Sequence, residues 1–359
     1  MPARYCSGSR IGCVIDTSHY LPGDPLNCMV TSIGLTGDVM LGRLVDERQR
    51  TRPVTAVWGD LTDRLRALEG LFINLECCLS ARGEPWTRTY RPFHFRADPY
   101  WAIPALLAVD VDCCALANNH VLDFGERALR DTLTALDEAN IAHAGAGKNQ
   151  SAAFEPTIVD VNSLAVGFLS FTDNTPEFAA RENSPGTAHI AIDVDNETTR
   201  RRVLDALARA KDADLVIASL HWGPNMVERP PETFQHFARW LIDVGVDIIH
   251  GHSAHVFHGI EVYEGRPILY DTGDFVDDYA VDHRLRNDRG FLFTIEVTDD
   301  GRPTAIRLTP TEIADCSVRH ASLSAATWIR TRMRQLSEPF DTRFDCDGEQ
   351  LVVSLGRSP

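Results

Sequence analysis

Short apolar runs alternate with amphipathic stretches from about residue 32 onward. The runs predict strands over residues 33–36, 71–75, 111–116, 164–171, 215–220 and 246–249. Several of them are apolar on both faces, which is typical of strands in a sheet covered by helices. Between them, apolar residues recur at helical spacing, and we predict helices that begin near Glu126, after Asn196 and after Pro231. Because strands and helices alternate, the chain is predicted to have an α/β fold.

The pattern changes after about residue 263, where antiparallel strands are expected. Two pairs of apolar runs are separated by turn residues, which predicts two hairpins: 260–263 with 268–270 around Gly265, and 291–297 with 304–308 around Gly301. From about residue 321 we expect a helix and a short tail. The chain therefore divides into an irregular N-terminal extension, a main domain, and a C-terminal helix and tail that pack on it: residues 1–30, 31–315 and 316–359.

Polar side chains follow five of the predicted strands, at the point where each strand ends: Asp38, Glu76, Asn118–Asn119–His120, His221, and the run that holds His250, His252 and His255. In α/β sheets, ligands bind outside the carboxyl ends of the strands. Carboxylate, amide and imidazole groups are suitable ligands for Mn, Zn or Fe. Five of the thirteen histidines lie between residues 236 and 258. The pattern therefore predicts a divalent metal site at this edge of the sheet.

Taken in order, these motifs resemble the CapA family of poly-γ-glutamate capsule synthesis proteins, within the calcineurin-like metallophosphatase superfamily. The likeness rests on Gly-Asp-x-Met, Asn-x-Glu, Asn-Asn-His, His-Trp-Gly and Gly-His-x-x-His, and it runs from about residue 32 to residue 278. It implies a four-layer α-β-β-α sandwich, in which helices flank two central sheets and metals lie between loops at one end.

The resemblance also implies a role for each of these side chains. Six of them would hold one or two ions of Mn, Zn or Fe: Asp38, Glu76 and His255 around the first ion, and Glu76, as the bridging carboxylate, with Asn119, His221 and His252 around the second. His120 would be the general acid or an electrophilic contact. Asp123, three residues further on, would orient His120 at the start of its helix.

Two positions depart from the pattern of related proteins. Met40 stands where phosphatases of the superfamily commonly have histidine, and a thioether is a poor ligand for a hard divalent ion. Ser253 stands where many members have a second histidine directly after Gly-His. Both differences reduce the expected metal affinity, and the first could leave one metal position weak or empty.

The implied activity is metal-dependent hydrolysis. Metal-activated water would attack a phosphoester, or a related acyl or amide bond, and His120 would protonate the leaving group. Two alternatives stay open: an enzyme that forms poly-γ-glutamate-type amide bonds, and a non-catalytic accessory protein of a biosynthetic pathway. The expected substrate is a small anionic molecule or a glutamyl- or peptide-like one.

The charge of the chain limits its partners. Acidic residues outnumber basic ones by 51 to 35, a net charge of −16, which argues against general binding of nucleic acid or anionic membranes. Cations and aromatic residues are nevertheless concentrated at 88–96, so Arg91 and His94, with Arg43, are candidate contacts for an anionic substrate. Asp274 is a further candidate, either as an extra ligand or as a contact for an amine. The alternatives are an exposed strand with arginines extended into solvent, and a solvated loop acid.

The expected location of the protein is the cytoplasm. No apolar run approaches the roughly 18–20 residues that a membrane helix needs. Residues 1–9 are not followed by the apolar stretch of a signal peptide. The nine cysteines include no C-x-x-C pair, so a disulfide framework is not indicated. The pattern carries no prediction of the oligomeric state.

Overall fold

The computed structural model describes residues 30–356, so the predicted extension at 1–30 lies outside the described residues except for Val30. The helices are α1 Arg43–Gln49, α2 Thr62–Arg66, α3 Pro99–Leu107, α4 Gly125–Glu138, α5 Gln150–Ala153, α6 Glu197–Arg209, α7 Glu232–Asp243 and α8 Leu323–Ser337, with short 3₁₀ segments at Val54–Leu61, Pro176–Phe178 and Glu338–Phe340. The strands are β1 Val30–Val39, β2 Gly70–Leu75, β3 Cys78–Leu79, β4 Arg96–Ala97, β5 Cys113–Ala115, β6 Ala142–Ala144, β7 Ala146–Gly147, β8 Thr157–Val161, β9 Leu164–Thr172, β10 Gly186–Thr187, β11 Leu215–His221, β12 Ile248–His252, β13 Ile260–Tyr263, β14 Arg266–Leu269, β15 Asp274–Val276, β16 Arg289–Thr298, β17 Pro303–Ala314, β18 Ser317–His320, β19 Asp345–Asp347 and β20 Gln350–Ser354.

Two mixed sheets form the centre of the fold. The larger has the order β19-β20-β17-β16-β1-β2-β5-β6, with β15 also paired to β1 and β18 to β17. Its strands β1, β2, β5 and β6 run parallel, whereas β16 and β17 are antiparallel additions. The smaller sheet has the order β13-β14-β12-β11-β9-β8, in which β14, β12, β11 and β9 are parallel. Parallel strands need crossover connections, and these connections supply the outer helices.

Successive side chains along a strand point to opposite faces of its sheet. One face packs in the core between the two sheets and the other packs against helices, so the fold has four layers. In β2, Phe72 packs between the two sheets, while Leu71 and Ile73 pack outward against the helices α1 to α4. In β11, Ile217 enters the core between the sheets, and the next residue, Ala218, packs under α6 and α7. The predicted α-β-β-α sandwich is therefore confirmed.

All six strands predicted before residue 250 are present, and so are the three helices at α4, α6 and α7. The first predicted hairpin is present with its turn one residue earlier than expected. Tyr263 pairs with Arg266, so the turn residues are Glu264 and Gly265, both with positive φ. Two residues with positive φ form the tight turn that matches the twist of a hairpin.

The C-terminal segment is part of the main structure. Strands β18 and β20 both pair with β17, and α8 contributes Ile329 and Met333 to the core between the sheets. The helix α8 therefore packs against the core between the sheets, and the division of the chain into 1–30, 31–315 and 316–359 stays a prediction. Among the residues that the structure describes, no helix has both the length and the hydrophobicity that crossing a bilayer requires.

Candidate metal centre

The carboxyl ends of both sheets meet at one place. Asp38 in β1 lies opposite Asn74 in β2 and opposite Asp274 in β15. In the other sheet, His221 at the end of β11 lies opposite His252 at the end of β12. The five strand ends singled out in the sequence therefore face one another.

Glycine allows the strands to come this close. A Cβ atom on Gly37 would lie 2.1 Å from the carbonyl oxygen of Gly273, and one on Gly251 would lie 2.1 Å from that of Tyr270. Only glycine tolerates such an approach of two backbones. Since Gly37 precedes Asp38 and Gly251 precedes His252, neighbouring backbones are in close contact at the two positions that directly precede site residues.

The first group of side chains consists of Asp38, Glu76 and His255, whose possible ligand atoms lie within 4.8 Å of one another. His255 Nδ1 is 3.7 Å from Asp38 Oδ2, and it donates to Asp274 Oδ1 at 2.8 Å. This set is the one predicted for the first metal.

The second group consists of Asp38, His221 and His252, again within 4.8 Å. His252 Nδ1 is 2.9 Å from His221 Nδ1 and 3.6 Å from Asp38 Oδ1, while Ser219 Oγ lies 2.8 Å from His252 Nε2. Asp38 is thus common to both groups, whereas the resemblance implied that Glu76 bridges. Glu76 Oε1 is 3.9 Å from His221 Nε2, so a bridging role for Glu76 stays a prediction.

Oxygen atoms at this place are buried and have no hydrogen-bond partner among the described residues: Asp38 Oδ2, both carboxylate oxygens of Glu76, Asn119 Oδ1 and Asp274 Oδ2. A buried oxygen without a partner costs about 1–3 kcal/mol, and more when it is charged. Five such atoms near three imidazoles are the donor set of a divalent cation. The residues present therefore fit the ion or ions that the resemblance implies.

Electrostatics at the centre points the same way. Burial raises the pKa of Glu76 well above its ordinary value, and the neighbouring Asp38 and Asp274 raise it further. Burial likewise raises the pKa of Asp38 and of Asp274, and it lowers that of His221 and His252 well below the usual value. Removal from water disfavours every charged form, so a cation here would compensate the carboxylates.

Asn74 and Asn118 form an amide chain that supports the centre. Asn74 Nδ2 donates to Asp38 Oδ1 at 2.6 Å, and Asn118 Nδ2 donates to Asn74 Oδ1 and to the Leu75 carbonyl. Asn118 Oδ1 in turn accepts from the backbone of His120. Sequence reasoning noted both asparagines at strand ends but assigned them no role, because their partners become visible only when the strands are side by side.

His120 lies beside these groups. Its Nδ1 donates to Asp123 Oδ2 at 2.6 Å, and its Nε2 is 3.7 Å from Glu76 Oε1. Phe95 packs edge-on against the ring, and the Phe95 amide donates to the same Asp123 oxygen. Burial lowers the pKa of His120, and Asp123 opposes that shift. The imidazole is thus fixed with Nδ1 occupied and Nε2 directed to the centre.

Comparison with known proteins identifies the family. The family model described as "Bacterial capsule synthesis protein PGA_cap" matches residues 32–279. The chain belongs to the PGA_cap family. The resemblance to CapA proteins, drawn from five short motifs, is confirmed.

Relatives of this PGA_cap protein match it along most of its length. A probable polyglutamine synthesis accessory protein of Mycobacterium tuberculosis is 33% identical over 357 residues, covering 88% of this chain and 93% of the relative. The PGA biosynthesis protein CapA of Bacillus subtilis is 28% identical over 306 residues, covering 84% and 77%. The capsule biosynthesis protein CapA of Bacillus anthracis is 30% identical over 251 residues, covering 68% and 59%.

A cavity of about 540 Å³ opens beside the centre of the PGA_cap chain. Its walls include Asn119, His120 and His255, so the cavity reaches the predicted metal ligands directly. The remaining walls combine aromatic, aliphatic and neutral polar side chains with one arginine: Tyr90, Arg91, Pro92, Phe93, Thr175, Asn225, Met226, Tyr279, Ala280 and Asn287.

The predicted substrate contacts differ in their access to this cavity. Arg91 lines it, but the Arg91 guanidinium donates to Asp123 Oδ1, to Thr175 Oγ1 and to the Asn119 carbonyl. Arg43 lies behind the wall, with Nε 3.4 Å from Asp278 Oδ2. Their binding of substrate stays a prediction, and their present partners favour a supporting role.

His94 and Asp274 also lie behind the cavity wall. His94 Nε2 is 2.9 Å from the Trp86 carbonyl oxygen, and its ring packs against Phe124. Asp274 is buried in β15 and accepts from His255. A metal-binding histidine commonly gives its other ring N–H to a carboxylate, which is the position that Asp274 occupies. The sequence predicted Asp274 as an extra ligand or a substrate contact, with a solvated loop acid as the alternative; its place in a strand was not predicted, because β15 is only three residues long and has no pattern of its own.

Proposed function

We propose that the chain is a metal-dependent hydrolase, and that its simplest substrate is a phosphoester. The proposal is carried by one observation: carboxylates and imidazoles from five strand ends converge with buried oxygens that lack partners. Asp38, Glu76, Asn119, His221, His252 and His255 would hold one or two divalent ions.

A divalent ion bound at these side chains would supply Lewis acidity, which polarises the scissile group and acidifies water. The chain's own residues then have separate tasks. Asp123 holds the His120 ring by accepting from Nδ1, so that the ring, when protonated as imidazolium, gives its Nε2 proton to a leaving group that lies in the cavity and becomes neutral. Arg91 fixes Asp123 in turn, through its Nε at 3.1 Å from Oδ1. Asp274 fixes the ring of His255.

The test combines metal content with turnover. We expect the purified protein to bind Mn, Zn or Fe and to hydrolyse members of an aryl phosphate panel after reconstitution with Mn or Zn. His120→Asn should keep its metal and lose turnover by about 10²- to 10⁴-fold, the usual contribution of a general acid. His236→Gln, at an exposed histidine of α7, is the matched control and should behave as wild type. A protein that binds no metal and stays inactive after reconstitution would reject the proposal.

A second candidate function is favoured by the names of the relatives, which refer to polyglutamine synthesis and PGA biosynthesis. On this view the chain acts on glutamyl-type amide bonds, or assists a biosynthetic complex without catalysis. Met40 and Ser253, which replace expected imidazoles, favour the accessory role because they reduce metal affinity. Tight stoichiometric metal favours an enzyme, and a screen of phosphoesters against glutamyl amides separates the two chemistries.

A further inference from the structure

The charges around the cavity bear on the class of molecule that it accepts, an inference that rests on the proposed function. A ligand held at the metal centre extends into the cavity, because His255 belongs to both, and Asn119 and His120 line the cavity beside it. The walls beyond those residues therefore contact the part of the ligand that is not at the metals.

Those walls are largely apolar. Tyr90, Phe93, Met226 and Tyr279 contribute rings and a thioether, and the Tyr279 ring packs against His255 with centroids 4.8 Å apart. Thr175 and Asn225 add neutral polar groups. Such a lining favours flat or aliphatic groups by burial of apolar surface.

Positive charge that is free to bind an anion is scarce there. Among the described residues that line the cavity, Arg91 is the one lysine or arginine, and Asp123 neutralises it. The nearby Arg43 lies over the rings of Phe93 and Phe95 and pairs with Asp278. Neither guanidinium is placed to pair with a second anionic group of a ligand.

Acidic side chains, in contrast, lie directly behind the walls. Asp274 Oδ1 is 2.8 Å from His255 Nδ1, and Asp277 Oδ1 accepts from the Tyr279 amide, so each contacts a residue that lines the cavity. A second anionic group in the cavity would lose its hydration without gaining an unpaired cation among the described lining residues, which weakens binding.

We propose that the cavity takes ligands with a single anionic group, held at the metal centre, and an uncharged aromatic or aliphatic remainder. Molecules that carry a further carboxylate or phosphate on that remainder are discriminated against. The specificity lies in Tyr90, Phe93, Met226 and Tyr279, and in the neutral Asn225 at the exposed side of the cavity.

The test uses two inert ligands with the same head group, phenylphosphonate and 4-carboxyphenylphosphonate. Their dissociation constants are measured by calorimetry on the Mn²⁺-loaded full-length protein. We expect phenylphosphonate to bind at least about tenfold more tightly, since the added carboxylate meets no free cation. Equal or tighter binding of the carboxylated ligand overturns the inference, and so does Mn²⁺ binding without binding of either phosphonate. Absence of Mn²⁺ binding, measured beforehand, is instead the failure of the proposed function.

A charge introduced into the cavity sharpens the test. Asn225→Lys should tighten binding of 4-carboxyphenylphosphonate and leave phenylphosphonate within about twofold, so that the tenfold difference narrows. Thr134→Lys places the same charge on the exposed face of α4 and should leave the difference unchanged. If both variants change the ratio equally, the effect comes from net charge and the proposed selectivity of the cavity is wrong.

Discussion

The two ends of the sandwich each have a cavity with acidic residues in or behind its walls, and the two groups of acids differ in character. The cavity at the amino ends of β11 and β12 is the larger, at about 950 Å³, and Asp214, Asp247 and Asp300 line it. Its acids are occupied: Asp214 accepts from the Ala165 amide, and Asp247 accepts from the Val216 amide and from Arg266. At the carboxyl ends, the smaller cavity adjoins buried carboxylates with oxygens that accept from no described donor, namely one oxygen each of Asp38 and Asp274 and both oxygens of Glu76.

Neither the volume of a cavity nor the number of acidic residues around it is therefore enough to identify a metal or catalytic site. An acid that accepts from a backbone amide at the start of a strand stabilises the fold, and part of its acceptor capacity is already used. An acid buried without donors costs stability and persists where a bound ion compensates the cost. Glu76, whose two carboxylate oxygens have no partner among the described residues, and Asp247 differ in this respect, although each adjoins the end of a parallel strand.

The largest expected effect is on Mn²⁺ affinity, and it is measured by removing one carboxylate at each end of the sandwich. Asp38→Asn should weaken Mn²⁺ binding by at least about 100-fold, because Asp38 belongs to both groups of predicted ligands. Asp214→Asn, at the other end, should bind Mn²⁺ as wild type does. Calorimetric titration of the two variants measures the difference. An equal loss of Mn²⁺ affinity in both variants, or a loss in neither, would show that the two ends of the sandwich do not differ in metal binding.

The second expected effect is a change in the free energy of unfolding, and its sign is opposite at the two ends of the sandwich. In metal-free protein, Glu76→Gln should raise the free energy of unfolding by about 1–3 kcal/mol, because it removes a carboxyl group whose ionised form is disfavoured by burial and by the neighbouring Asp38. Asp247→Asn should lower it by about 1–2 kcal/mol, because the Val216 amide and Arg266 lose a charged acceptor. Urea unfolding in the presence of a chelator measures both. A loss of stability in Glu76→Gln would show that Glu76 is a structural acid like Asp247.

The smallest effect concerns two arginines that each pair with an aspartate. Arg91→Lys should lower kcat for an aryl phosphate about tenfold with KM within about twofold, because lysine cannot hold Asp123, Thr175 and the Asn119 carbonyl together. Arg266→Lys, at the opposite cavity, should leave both constants unchanged. Steady-state kinetics at constant Mn²⁺ tests this, with metal content measured alongside. A rise in KM with unchanged kcat would instead assign Arg91 to substrate binding.

The sequence predicted the strands and helices that are long enough to show a regular pattern of apolar residues. The strands at β2, β9 and β11 are apolar over several residues, and α4 and α7 have one apolar face, so their positions were readable. Strands of two or three residues, such as β3, β7 and β15, are too short to show a pattern of apolar and polar residues. Their existence depends on a neighbouring backbone that already lies in place.

The candidate site was predictable for a different reason. Polar residues at the ends of successive buried strands converge in any parallel sheet, so Asp38, His221 and His252 were found without a structure. Hydrogen-bond partners that are distant in the chain were not predictable, as for Arg91 and Thr175, which are 84 residues apart and meet through two loops. The role of Asn74 as donor to Asp38 was missed for the same reason.

Divalent cations are proposed to bind at the carboxyl ends of the parallel strands of the two sheets. Crystals grown with Mn²⁺ and measured at the manganese absorption edge locate the ions directly. The account predicts one or two anomalous peaks among Asp38, Glu76, His221, His252 and His255. Peaks only at Asp214 and Asp247, or no peak within reach of Asp38, would contradict it.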